Sequence, residues 1–206
     1  MSDVTSQTLP WPAVCYTMLM KNKHIPVVLG TARVERKSEA VAKAVAAIIA
    51  NMEGYSSELV DVRDHVTQAI TVPPWGAGGA NEKPTVWKEI VEKSHALVLV
   101  TPEYNHTIPG ELKLLLDSLF ESYQGKAVGL VGVSAGTLGA ARVIDHIKPV
   151  LIELKLHPIK EAVHISKAAE AVASDGSFSD AKTTEYTQKM IQEISALSTA
   201  LLTLNT

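Results

Sequence analysis

The sequence predicts a three-layer α/β domain, with a five-stranded parallel sheet covered by helices on both faces. Apolar runs of strand length alternate with longer segments of helical period. The strand runs are almost continuously apolar, as strands covered on both faces must be. A length of 206 residues, free of internal repeats and low-complexity stretches, suits one such domain.

Each element follows from a local pattern. Residues 25–29 are β-branched or apolar and stop at Gly30, which reads as a buried strand and a tight turn. Residues 38–51 place Val41, Ala44, Val45, Ile48 and Ile49 at helical spacing, with Ser38 suited to the N-cap. Residues 58–62 form a second strand. A long loop over 63–83 carries Pro73-Pro74 and Gly76, Gly78 and Gly79, and loops of this length are commonly functional or mobile. A helix over 84–94 begins at Pro84, a residue fitted to a first turn.

Residues 96–100 are a third strand. The helix expected over 109–123 turns Leu112, Leu115, Leu116, Leu119 and Phe120 inward. Residues 127–133 are an all-apolar fourth strand, 138–154 a helix and 159–165 the last strand. A closing helix over 180–204 has a periodicity running through Met190, Ile194, Leu197 and Leu201.

Composition narrows the function. With 46% apolar and 20% charged residues the chain can build a core. Nineteen Lys+Arg against 22 Asp+Glu give a net charge of −3, which offers no basic footprint for nucleic acid or an anionic membrane. The lone Cys15 can form neither an internal disulfide nor a thiolate metal site, and no metal is expected. Residues 10–20 are apolar but too short to span a bilayer, and Met1 to Leu9 lack the basic residues of a secretory signal. Residues 1–23 therefore read as a poorly ordered leader, or as an arm on a partner subunit. The fold proper runs from His24 to Thr206, in a reduced compartment.

In doubly wound sheets ligands sit beyond the carboxyl ends of the strands. Three loops lie there. In the 30–38 loop, the unpaired amides of a helix start favour an anion, with hydroxyls from Thr31 and Ser38 and the guanidinium of Arg33. One glycine stands where a dinucleotide fingerprint has three, and the Gly-Lys-Ser/Thr of a P-loop is missing, so a monophosphate fits best. The phosphate contact is open between Ser38, Arg36 and Lys37. The 101–110 loop presents Glu103, Tyr104, Asn105 and His106 between Pro102 and Pro109, a stiff polar ledge. Gly132-Val133-Ser134-Ala135-Gly136 matches the nucleophile elbow of serine hydrolases. That reading lacks a glycine-rich oxyanion segment, and its candidate histidines, His157 and His164, bracket an expected buried strand. A Ser/Gly-rich turn also lets backbone amides approach a flat ligand closely.

Taken together, the three loops resemble the NADPH-dependent FMN reductase family, which includes flavodoxin-like quinone and azo-dye reductases. The most specific element is Pro102-Glu103-Tyr104-Asn105, followed by Pro109 and Leu112-Lys113. Ser134-Ala135-Gly136, with Gly139 and Arg142, resembles the second ring-binding loop, and Gly30-Thr31-Ala32-Arg33 the phosphate loop. The match spans about residues 24–165. It departs in Thr31 for the usual serine and in a longer stretch between Arg33 and Ser38.

The resemblance implies a flavodoxin-like sheet of strand order 2-1-3-4-5 and a non-covalently bound FMN. It implies phosphate contacts from Thr31, Arg33 and Ser38, and ring contacts from Pro102, Glu103, Tyr104, Asn105, Ser134, Ala135, Gly136 and Thr137. Amides around residues 134–137 would stabilise charge on the ring, and Trp75 of the long loop would border its open face. Hydride would pass from NADPH or NADH to a quinone, azo compound, flavin or metal oxyanion without a catalytic side chain. A cytoplasmic homodimer or homotetramer is expected. A flavodoxin-like electron carrier and a redox-sensing flavin-binding protein are the alternatives, the former disfavoured by the weak net charge.

Overall fold

The computed structural model of the chain describes residues 22–66 and 85–204. The expected leader up to Lys21, and residues 67–84 with Trp75 and Pro84, lie outside the described residues. The first strand is written in two pieces, β1 (Lys23–His24) and β2 (Val27–Leu29), separated at Pro26, which has no N–H to donate. The second is likewise β3 (Tyr55–Ser56) and β4 (Leu59–Asp61). Hydrogen bonds from Ile25 to Ser56 and from Val27 to Glu58 carry the pairing across both breaks. The remaining strands are β5 (Leu97–Pro102), β6 (Ala127–Val133) and β7 (His157–Ile165).

The main sheet runs β4-β2-β5-β6-β7, all parallel, with Val28 opposite both Val60 and Leu99, and Val131 opposite Val163. With each split strand counted once, this is the order 2-1-3-4-5. Helices α1 (Ser38–Ala50) and α6 (Ala181–Leu204) cover one face, while α3 (Val86–Lys93), α4 (Gly110–Asp117) and α5 (Ala141–Glu153) cover the other. Side chains of β5 alternate between the layers. Val98 and Val100 meet Val41, Val45 and Ile194 on one face; Leu97 and Leu99 meet Leu115, Leu116 and Ile147 on the other. This two-sided burial is why the strand sequences are apolar without alternation.

Among the boundaries that differ from the sequence pattern, three have a local reason. The helix expected over 109–123 ends at Asp117 and resumes as a 3-10 turn, Glu121–Tyr123. There the Ser118 hydroxyl donates to the Leu115 carbonyl, and fully buried Tyr123 accepts a 2.9 Å bond from the Trp87 indole. The helix expected from 138 starts at Ala141, because Gly139 and Ala140 have φ of 55° and 58°, outside any right-handed helix. The beginning of the expected long loop is helical: α2 (Val62–His65) is capped by the Asp61 carboxylate, which accepts from the Arg63 amide.

Candidate functional site

A cavity of about 660 Å³ opens at the carboxyl ends of β2, β5, β6 and β7. Thr31, Arg33 and Ser38 contribute to its wall from the first loop, and Pro102, Glu103 and Tyr104 from the second. Ser134 and Ala135 contribute from the third. The sequence-predicted phosphate and ring segments thus meet around one space. Asn105, Gly136 and Thr137 do not line it.

Asn105 is placed elsewhere by its backbone. It and His106 have φ of 51° and 68°, and Tyr104 and Thr107 exchange both backbone hydrogen bonds. Two consecutive left-handed residues mark a type I′ turn, a conformation asparagine tolerates well. Asn105 is therefore the exposed tip of a small hairpin whose base, Tyr104, faces the cavity.

The first loop is fastened on several sides. Thr31 is 1% exposed, and its hydroxyl lies 2.5 Å from the Tyr104 hydroxyl. The Ala32 amide donates to the Glu111 carboxylate at 2.8 Å, and the Arg33 guanidinium stacks 3.7 Å from the Tyr104 ring centre. Ser38 is not the N-cap. Lys37 takes that position with helical φ and ψ, so Ser38 opens the first turn and its hydroxyl makes no capping bond. That Oγ is buried and has no hydrogen-bond partner among the described residues. Such a group costs free energy unless something else satisfies it. Arg36, one of the three open phosphate candidates, is committed to protein. Its guanidinium donates to both Asp61 carboxylate oxygens, to the Thr31 carbonyl and to Glu39. Lys37 remains on the cavity wall.

On the other side, Arg142 at the start of α5 grips Glu103, with Nε 2.6 Å from Oε1. Burial pushes the Glu103 carboxyl up, but the Arg142 hydrogen bond and charge outweigh it and hold the group below the ordinary carboxylate range. The second carboxylate oxygen is buried and unpartnered among the described residues. In the third loop the Ser134 amide is spent on the Ile165 carbonyl at 2.9 Å, so it is not one of the expected ring donors. The amides of Ala135, Gly136 and Thr137 donate to no protein acceptor among the described residues. Two glycines allow this loop its shape. A Cβ on Gly132 would stand 2.6 Å from the Gly139 carbonyl oxygen, and one on Gly139 would stand 2.7 Å from His164 Cβ.

A fourth wall escapes the sequence pattern. Lys167, Ala168, Ala169 and Glu170 follow β7 and line the cavity. The Lys167 and Ala168 amides donate to the Gly136 and Ser134 carbonyls, zipping this segment onto the third loop. The carboxyl-edge rule applied to the last strand would have found it.

An orphaned hydroxyl at a helix start, on one wall with Thr31 and an arginine, fits a phosphate monoester, and the stiff ledge and the open Ala135 amide fit a flat polar ring. Comparison with known proteins identifies the family. A family model described as NADPH-dependent FMN reductase matches residues 24–170. The chain belongs to this family. The NAD(P)H-dependent FMN reductase of Pseudomonas aeruginosa is 32% identical over 68% of this chain and 77% of its own. A 2-hydroxy-1,4-benzoquinone reductase of Burkholderia is 24% identical over 84% of this chain and 94% of its own. The solved flavoenzyme NAD(P)H:(acceptor) oxidoreductase FerB of Paracoccus denitrificans superposes with a TM-score of 0.69, at 24% identity. That superposition covers 86% of this chain and 98% of the other, and shows a shared fold. As a family member the chain is an FMN-dependent NAD(P)H oxidoreductase with a flavodoxin-like α/β fold.

Proposed function

We propose that the cavity at the carboxyl edge is the FMN site and that the terminal acceptor is a quinone-type small molecule. The observation that carries the reading is Ser38 Oγ, a buried hydroxyl without a protein partner among the described residues, on the same wall as Thr31 and Arg33. Those three side chains would hold the phosphate. The Pro102-Glu103-Tyr104 ledge would support the ring, and the Ala135 amide on the cavity wall offers a donor for its carbonyl oxygens. The chemistry a bound FMN supplies is hydride transfer at its ring, and the protein's part is binding, orientation and electrostatics. No side-chain nucleophile is needed.

Support for a quinone acceptor comes from the Burkholderia relative, which matches almost its whole length. On this reading the residues from 23 onward act as one flavin-binding domain, because Lys23, expected in the leader, pairs with Tyr55 in the strand that opens the fold. The enzyme works as a cytoplasmic homodimer or homotetramer, where NAD(P)H is supplied. Among the described residues, no helix is long and apolar enough to cross a membrane and no cluster of His, Cys, Asp or Glu could hold a metal.

The test is the visible absorption spectrum of the purified protein. We expect flavin bands that bleach on anaerobic addition of NADPH and return when a benzoquinone is added. A colourless protein that takes up no FMN on reconstitution would refute the site assignment. Bleaching without recovery on quinone would refute the acceptor alone.

A further inference from the structure

By residue type Arg36 is a possible phosphate ligand, yet the structure shows it otherwise engaged. Its side chain is 3% exposed. One terminal nitrogen donates to the Thr31 carbonyl and, at 2.9 Å, to Asp61 Oδ1; the other donates to Asp61 Oδ2; Nε points to Glu39 at 3.4 Å. A guanidinium used on all three nitrogens has little left for a ligand.

Asp61 is the centre of this arrangement. It ends β4, on the strand beside β2, and caps α2. Besides both bonds from Arg36 it receives Arg63 Nη2 at 2.8 Å. Burial pushes its carboxyl up, yet the hydrogen bonds from Arg36 and Arg63 prevail and hold it well below the ordinary range, so it stays ionised. The Thr31 carbonyl is thereby fixed from one side by Arg36, while the Thr31 hydroxyl is fixed from the other by Tyr104.

Resting on the FMN reading above, we propose that Asp61 is a positioning residue for phosphate recognition. It holds Arg36, and Arg36 holds the 30–38 loop in the shape that presents Thr31, Arg33 and Ser38 together. Asp61 itself does not line the cavity. It also neutralises Arg36, which itself lines the cavity, leaving phosphate recognition to Thr31, Arg33 and Ser38.

Two flavins that differ only in the phosphate separate this role from a general structural one. Binding of FMN and of riboflavin to apo-protein would be followed by quenching of flavin fluorescence, with folding checked by circular dichroism. For Asp61→Asn we expect FMN to bind about tenfold more weakly, the scale of one charged hydrogen bond, and riboflavin to bind within about twofold of wild type. Arg36→Lys keeps the charge but cannot span the carboxylate and the Thr31 carbonyl together, and should give the same loss of discrimination. It also serves if Asp61→Asn does not fold.

Equal weakening of both flavins would reduce Asp61 to a stability role and overturn the proposal. So would unchanged or tighter FMN binding in Asp61→Asn, the result expected if a released Arg36 charge attracted the phosphate. A wild type that binds neither flavin would remove the FMN reading and this proposal with it.

Discussion

Arg33 rests on the Tyr104 ring and has no carboxylate partner among the described residues, which leaves its charge for a ligand. We expect Arg33→Ala to weaken FMN binding by about 1–3 kcal/mol, the range for hydrogen bonds to charged groups. The check is flavin content after purification and a fluorescence titration; unchanged retention would sink the contact. The residue types of this site are legible in the sequence, because a hydroxyl and an arginine beside a helix start have few other uses in combination. The roles of individual residues are less so. Ser38 satisfies the N-cap pattern as well as the first-turn position, and only the helical φ and ψ of Lys37 separate them. Arg33 and Arg36 are equally suited to phosphate by type. The partner that withdraws Arg36 lies 25 residues away on another strand, which spacing along the loop cannot reveal.

The loop between β6 and α5 depends on its glycines as a unit. Alanine at position 132 would put Cβ 2.6 Å from the Gly139 carbonyl oxygen, a backbone atom that cannot swing aside. We expect Gly132→Ala to destabilise the protein by about 1–3 kcal/mol and to reduce flavin uptake. Urea denaturation and flavin content test the two effects. The all-apolar run over 127–133 matches β6 to the residue, since continuous burial writes itself into composition. Helix ends are harder to read, because they are decided by left-handed backbone at Gly139 and Ala140 and by the Ser118 side chain, not by periodicity. The wall at Lys167–Glu170 has no distinguishing composition. Its place comes from a left-handed Lys167, with φ of 47°, and from backbone bonds to the neighbouring loop.

Across the whole molecule the two ends of the sheet do different work. The carboxyl edge holds the cavity, while the amino edge holds partly buried polar groups. Lys126 enters β6 there and donates to the Ser94 carbonyl at 2.8 Å. Burial lowers its pKa to about 8, only partly offset by the charge of Glu92. Between about pH 8 and the ordinary lysine value near 10.4 the unfolded chain binds a proton that the folded protein has released, so stability rises with pH across that window. We expect Lys126→Met to be more stable than wild type at pH 7, on the order of 1–2 kcal/mol. The difference should shrink as pH passes from about 8 toward about 10.5. Parallel denaturation curves across that range would show it, and a pH-independent difference would refute the cost assigned to the buried charge.

The outer margin of β7, unpaired among the described residues, bears on how this protein behaves at high concentration. A margin of free N–H and C=O groups is a template for another chain to extend the sheet and begin a fibril. Here Pro158 interrupts the row of donors, and Lys160 and Glu161 stand exposed along the same strand. Water-loving charges and a missing donor make that border a poor seed. The cavity can thereby open at one end of the sheet without the adjoining border becoming a liability.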